Sequence, residues 1–142
     1  MLKYAIAASL AAMFTASLAS AQEALPEPVQ KEIRSIIDRQ LEALKRDDAA
    51  AAFGLAAPVF RAKFGTPERF MAAVKKDFAA IYRPRTVTYQ DMGFASGKPV
   101  QKMLVIGGDG KAAMAYFSME KQANGAWRVD ALVVTPIEGQ GI

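Results

Sequence analysis

Asp130 is the residue of this sequence best placed for acid–base chemistry, because it interrupts the apolar stretch at residues 127–133. Burial disfavours the charged form of a carboxyl group, which makes a buried acid useful as a general acid or base. Tyr116 and Tyr89 add phenols that can polarise a carbonyl group. These three residues are therefore the candidate catalytic residues. There is a structural alternative, because successive side chains of a strand point to opposite faces of the sheet. In that alternative Asp130 simply faces water or forms a pair on the Arg128 side of the sheet.

Other catalytic and cofactor-binding patterns are missing. The sequence has no histidine and no cysteine, which excludes the usual catalytic triads and zinc sites built on imidazole or thiolate. No Walker-type phosphate loop and no dinucleotide-binding glycine pattern is present. The glycines within residues 107–110 lie between two predicted strands, which favours a hairpin turn over a phosphate cradle, and Asp109 alone does not make a calcium site. We therefore expect no metal and no cofactor.

Residues 1–21 have the three parts of a cleavable export signal. Lys3 supplies the positive charge, residues 4–18 are apolar and uncharged, and Ala19-Ser20-Ala21 places small residues at a cleavage site. The apolar run is shorter than the about 20 residues of a membrane-spanning helix. We expect cleavage after Ala21 and a periplasmic or secreted protein. Without cysteine there is no site for a lipid, so no stable membrane anchor is expected after cleavage.

The net charge of +4 does not indicate a nucleic-acid partner. Basic and acidic residues are interleaved, as in Lys45-Arg46-Asp47-Asp48, which is typical of a solvated helix surface. Export would also separate the protein from most nucleic acid. Because an exported domain without cysteine has no disulfides, its stability must come from a hydrophobic core.

The first half of the domain has apolar residues at helical spacing. Asp47 or Asp48 fits the N-cap of a helix, Thr66 followed by Pro67 fits another helix start, and Pro84 is a stop signal. The predicted segments are helices at residues 29–44 and 49–56, a turn or short helical piece at 59–65, and a third helix from Thr66 to Pro84.

After Pro84 the apolar residues alternate, which is typical of strands. Asn124-Gly125 is a strong hairpin signal, and short connections imply an antiparallel meander. The predicted strands cover residues 85–92, 100–106, 111–122 and 126–135. The sequence thus predicts an α+β domain in which three N-terminal helices pack on about four antiparallel strands. Its predicted parts are a flexible lead at 22–28, the domain at 29–135 and a C-terminal tail at 136–142.

A family resemblance rests on short motifs spread over nearly the whole domain. They are Gln40-Leu41, Asp47-Asp48, Ala52-Phe53, Ala57-Pro58, Phe64-Gly65, Phe70-Met71, Tyr82-Arg83-Pro84, Gln101, Asp109-Gly110, Ala115-Tyr116 and Gly125-Ala126-Trp127-Arg128-Val129. In these motifs the chain resembles a bacterial domain-of-unknown-function family of the nuclear transport factor 2-like, or cystatin-like, superfamily. The resemblance implies a curved antiparallel sheet that wraps helices into a cone with a cavity.

The resemblance brings no assigned activity with it. The superfamily includes isomerases, dehydratases and hydrolases that use Asp, Tyr or His inside the cone, which implies as an alternative an acid–base enzyme using Asp130 and a tyrosine. The missing catalytic groups instead favour a non-catalytic module that binds a small molecule or a protein partner. The superfamily also implies a third option, a homodimer with its exposed sheet faces packed together.

Overall fold

The computed structural model describes residues 24–138, so the predicted export signal lies outside the described residues. The helices are α1 (Glu27–Lys45), α2 (Ala49–Gly54), α3 (Pro58–Phe64), α4 (Pro67–Asp77) and α5 (Ala79–Tyr82). The strands are β1 (Thr86–Ala95), β2 (Lys98–Ile106), β3 (Ala112–Lys121) and β4 (Trp127–Pro136). None of the helices within residues 24–138 is long and apolar enough to cross a membrane.

Helix α1 forms where the apolar spacing predicts it. Ile33, Ile37 and Leu44 recur on one side of the helix and are fully buried, whereas the remaining faces carry charged residues. Pro28 lies in the first turn, where its missing N–H leaves no helical hydrogen bond unmade. Helix α1 begins at Glu27, so the last two residues of the predicted flexible lead belong to the helix.

The prediction of three N-terminal helices is wrong in detail, because the described chain has five. The predicted turn or short helical piece at 59–65 is a helix of seven residues, α3. The predicted third helix is split at Phe78, whose backbone angles (φ −127°, ψ 37°) are not helical. A single non-helical residue leaves the spacing of Val74 and Ile81 almost unchanged, and both are buried. Periodicity therefore could not reveal this break.

The four strands form one antiparallel sheet in the order β1-β2-β3-β4, which confirms the predicted α+β meander. The loop at 107–110 is a hairpin turn, since the Gly107 N–H donates to the Lys111 carbonyl at 2.9 Å. Gly110 and Gly125 have positive φ angles of 83° and 87°, which side chains disfavour. The glycines thus serve the turns between strands, as expected from the sequence.

The helix-facing side of the sheet carries the core. Its fully buried residues form one hydrophobic cluster with buried residues of the helices and are Met103, Val105, Ala115, Phe117, Met119 and Val129. The resemblance predicts a cavity on this side, where the structure places these buried side chains. Truncating one of them, such as Phe117 to alanine, would cost about 3–5 kcal/mol of stability.

The opposite side of the sheet, which we call the outer sheet face, is apolar but only partly buried. Cross-strand partners lie on the same side of a sheet, and Leu104 pairs with Met114 while Tyr116 pairs with Val133. Val133 is 52% exposed. The apolar residues of the outer sheet face are Val100, Leu104, Ile106, Met114, Tyr116 and Val133.

Candidate functional site

Asp130 lies at a β-bulge between β3 and β4. Ser118 pairs with Ala131 and Met119 pairs with Val129, so Asp130 is an extra residue that has no partner opposite it. A bulge redirects the side chain of the extra residue. Asp130 is 7% exposed, so it does not face water as the simplest sequence alternative suggested.

Lys98 on β2 holds the Asp130 carboxylate. Its Nζ lies 2.5 Å from Asp130 Oδ2 and 2.9 Å from Glu120 Oε2, so that one ammonium bridges two acids. The hydrogen bond to Asp130, followed by the one to Glu120, raises the pKa of Lys98 above its ordinary value, and the lysine stays a cation at physiological pH. Asp130 is therefore held in an ion pair within the sheet.

The other carboxylate oxygen of Asp130, Oδ1, is buried and accepts no hydrogen bond from the described residues. A buried acceptor without a donor costs about 1–3 kcal/mol. Asp130 is therefore a polar group that the isolated fold leaves partly unsatisfied.

Tyr116 lies on the outer sheet face, opposite Lys102 on β2 and Val133 on β4. It lines a shallow concavity of about 280 Å³ that also includes Asp91 and Lys102. Phe94, which is 49% exposed, borders the same concavity. This is the one described concavity that contains a sequence-predicted site residue.

Tyr89 lies on the helix-facing side of the sheet, where it contacts α1. Its hydroxyl group donates to Asp38 Oδ1 at 2.5 Å and lies 3.1 Å from the Arg34 carbonyl oxygen. Burial, followed by the hydrogen bond to Asp38, raises the pKa of the Tyr89 phenol well above its ordinary value of 10.0. The Arg34 guanidinium lies 5.7 Å from the ring centroid. These contacts give Tyr89 a role in docking β1 on α1.

The structure does not bring the three candidate catalytic residues together. Tyr89 and Tyr116 lie on opposite sides of the sheet, and neither phenol is hydrogen-bonded to Asp130. Neither Asp130 nor Tyr89 lines the concavity of Tyr116. No group of three or more acidic residues within residues 24–138 is arranged to hold a metal ion.

Gln101 is a buried polar residue whose position sequence reasoning did not interpret. Its amide donates to the carbonyl oxygens of Gln90 and Lys102, both at 2.7 Å, and its Oε1 accepts from the Arg34 Nε at 3.1 Å. The register shift in β1 between Tyr89 and Met92 lies beside it. Gln101 thus stabilises the bulge of β1 and ties it to α1. A polar residue at an inward position of an alternating strand is the signal that identifies it.

Asp47 is likewise a structural residue rather than part of a binding site. Its carboxylate accepts hydrogen bonds from the Tyr82 hydroxyl group and from Arg83 at 2.7 Å, and Lys75 lies 3.4 Å away. The hydrogen bond from Tyr82 is the main cause that lowers the pKa of Asp47. Asp47 has a positive φ of 57°, which is rare for a residue with a side chain. These contacts hold the end of α1 against α4 and α5.

Sequence reasoning also missed the extent of the outer sheet face. Most outward residues of β2 and β3 between Val100 and Ser118 are apolar, as are most inward ones, with Lys102 and Ser118 as the polar outward residues. A strand with one face in water normally alternates between apolar and polar residues, whereas a strand covered on both faces is apolar throughout. The apolar character of both strand faces was therefore the available signal.

Comparison with known proteins supports this architecture. Comparison with the curated proteins finds no match. Among solved structures, ActVI-ORFA from Streptomyces coelicolor is similar, with a TM-score of 0.54 and 17% sequence identity over 81% of this chain and 99% of that chain. That protein has the nuclear transport factor 2-like fold, and the likeness shows this fold for the present chain. A family model described as "Domain of unknown function (DUF4864)" matches residues 26–142.

Proposed function

This chain belongs to the DUF4864 family, and we propose that it is a non-catalytic binding module whose outer sheet face meets a second copy of the chain. The observation that carries the proposal is the apolar, half-buried surface of the two central strands. An apolar sheet face that the fold leaves partly exposed marks an interaction surface. Asp130 and Tyr89 are held in structural contacts, and neither lines the concavity of Tyr116, which supports binding rather than acid–base catalysis.

The charges beside the apolar patch favour a second copy over an unrelated partner. Asp91 and Lys102 line the same concavity of the outer sheet face, yet neither has an ion-pair partner among residues 24–138. In a twofold interface each contact occurs twice, so a group on one copy meets the complementary group on the other. In a twofold dimer, Asp91 of the second copy would therefore pair with Lys102, and Lys102 of the second copy would pair with Asp91.

The apolar residues are arranged in a way that suits such an interface. Leu104 and Met114 lie at the middle of the sheet, and Tyr116 and Val133 extend the patch toward β4. Stable interfaces have an apolar centre and a polar rim, and tyrosine and methionine are enriched in them. The charged cluster of Lys98, Glu120 and Asp130 lies at the rim and limits the ways in which two copies can meet.

A matched pair of substitutions tests the proposal. Val133 on the outer sheet face and Val59 on α3 are 52% and 53% exposed, so that lysine at either position is equally tolerated by the isolated fold. We expect Val133→Lys to raise the dissociation constant of the dimer by about tenfold or more, while Val59→Lys leaves it unchanged. Light scattering coupled to size exclusion measures the mass of each variant. If both variants have the dimer affinity of the parent protein, the outer sheet face is not the interface.

We also propose that the domain acts outside the cytoplasm, in the periplasm or as a secreted protein. The support is the export-signal pattern at residues 1–21. The family match begins at Pro26, downstream of that pattern. The domain contains no cysteine, so its fold does not depend on the redox state of the compartment.

A further inference from the structure

We propose that a groove between α1, α2 and the beginning of β4 binds a small organic carboxylate. We call it the arginine groove and define it by Arg39, Arg46 and Arg128 at its walls and Ala43, Gly54 and Leu55 at its floor. Its volume is about 480 Å³, within the range of about 300–1,000 Å³ that is usual for small-molecule sites. The arginine groove is separate from the outer sheet face and does not depend on the dimer.

The fold brings the three arginines to the arginine groove from two directions. Arg39 and Arg46 are two helical turns apart on α1 and therefore point to the same side. The segment after α2 pairs with β4, because the Ala57 N–H donates to the Val129 carbonyl at 2.7 Å and the Val129 N–H donates to the Leu55 carbonyl at 3.0 Å. This pairing places Arg128 beside the end of α2.

The floor of the arginine groove suits an apolar ligand body. Ala43 and Leu55 are buried in the core below it. Gly54 adds no side chain, and a Cβ atom built on it would meet no atom within 4 Å. The space around Gly54 is therefore open, and Gly54 lines both the arginine groove and a neighbouring concavity.

The charges of the arginine groove favour an anion. Among residues 24–138, Arg39 and Arg128 have no carboxylate within ion-pair distance, whereas Arg46 pairs with Asp48 at 3.3 Å. Arg128 makes one hydrogen bond, from Nη1 to the Trp127 carbonyl oxygen at 2.8 Å. Most of its guanidinium donors thus remain free for a ligand.

Two acids, Asp38 and Glu42, also line the arginine groove. Among residues 24–138 neither lies within ion-pair distance of Arg39 or Arg128, and the Oδ1 atom of Asp38 is directed toward β1 by the hydrogen bond from Tyr89. A planar guanidinium matches a carboxylate better than other single-charge groups, because two parallel hydrogen bonds form at once. The expected ligand has one carboxylate group attached to a small hydrocarbon group.

Nuclear magnetic resonance titration with octanoate tests this site, with octanamide as the uncharged probe of the same shape. We expect octanoate at concentrations up to about 10 mM to shift the amide signals of Ala43, Gly54 and Leu55 in a saturable way. Octanamide should bind about tenfold more weakly, because it cannot form the charge-assisted hydrogen bonds. Equal binding of the two probes, shifts spread over the whole surface, or no saturable shift with octanoate would each overturn the proposal.

Variants of two arginines identify the residues responsible. Arg128→Gln and Arg39→Gln should each weaken octanoate binding about tenfold, and the double variant should weaken it about a hundredfold. Arg69→Gln on α4 removes the same charge elsewhere and should leave binding unchanged. Thermal unfolding of each variant separates loss of the site from loss of the fold. Octanoate binding at the parental affinity in a folded double variant contradicts the assignment.

Discussion

Lys98 and Asp130 form an ion pair over the whole width of β3, with 2.5 Å between Nζ and Oδ2. Lys98 lies on β2 and Asp130 on β4, so the two side chains together span two strand spacings, about 10 Å in all. Glu120 on the intervening strand accepts a second hydrogen bond from the same ammonium, at 2.9 Å. One lysine therefore connects the three strands at the bulged end of the sheet.

Replacing Lys98 with methionine should lower stability at neutral pH, because the buried Asp130 carboxylate then loses its cation. Urea unfolding at pH 7, followed by the fluorescence of the single tryptophan, measures the free energy of unfolding of each protein. Lys121→Met is the control, since Lys121 is exposed and forms no ion pair among residues 24–138. Equal losses of stability in both variants would contradict the account.

Replacing Gln101 with leucine should cost about 2–3 kcal/mol, because two backbone carbonyls and the Arg34 guanidinium lose buried hydrogen bonds. Gln90→Leu on the neighbouring strand is the control and should change stability by about 0.5 kcal/mol or less. Chemical denaturation of both variants gives the free energies of unfolding. A Gln101→Leu protein as stable as the parent would mean that the amide does not stabilise the bulge of β1.

Stability should fall in alkaline solution because of Tyr89. The pKa of its phenol is raised in the folded state, so the folded protein keeps a proton that the unfolded chain releases above the ordinary value of 10.0. The pKa of Lys98 is also raised in the folded state, so Lys98 likewise lowers stability as the pH rises above its ordinary value of 10.5. Because histidine is absent, stability should be nearly constant between about pH 6 and pH 9. Tyr89→Phe should reduce the loss above pH 10 in a series of denaturation curves, and a loss of the same size in both proteins would disprove this assignment.

The exported protein should begin at Gln22. The signal pattern places cleavage after Ala21, at the end of the small residues that signal peptidase requires. N-terminal sequencing or intact mass measurement of protein recovered from the periplasm or the culture medium gives the first residue. Substituting Ala21 with a bulky residue should block cleavage, whereas a protein that still begins at Met1 without this change contradicts the export proposal.

The regular elements were predictable where the spacing of apolar residues is unambiguous. The helix at 29–44 and the four strands differ from α1 and β1–β4 by a few residues at their ends. The break at Phe78 was not predictable, because one non-helical residue keeps the phase of the apolar stripe.

The candidate site was predictable only in part. The apolar neighbours of Asp130 indicated its burial correctly. The bulge that sets the direction of its side chain depends on the pairing register between β4 and β3, which cannot be derived from the sequence. Lys98 is distant from Asp130 along the chain, so the ion pair could not be inferred from either segment. The motif residues Asp47, Tyr82 and Gln101 carry the family resemblance, and their contacts explain them as structural residues.

Sedimentation equilibrium of the purified protein at neutral pH tests the central proposal most directly. A module whose outer sheet face meets a second copy should have the mass of two chains at concentrations of about 10–100 µM, and it should dissociate on dilution with a single dissociation constant. A mass of one chain over that whole range, from a protein that remains folded, would contradict the proposal.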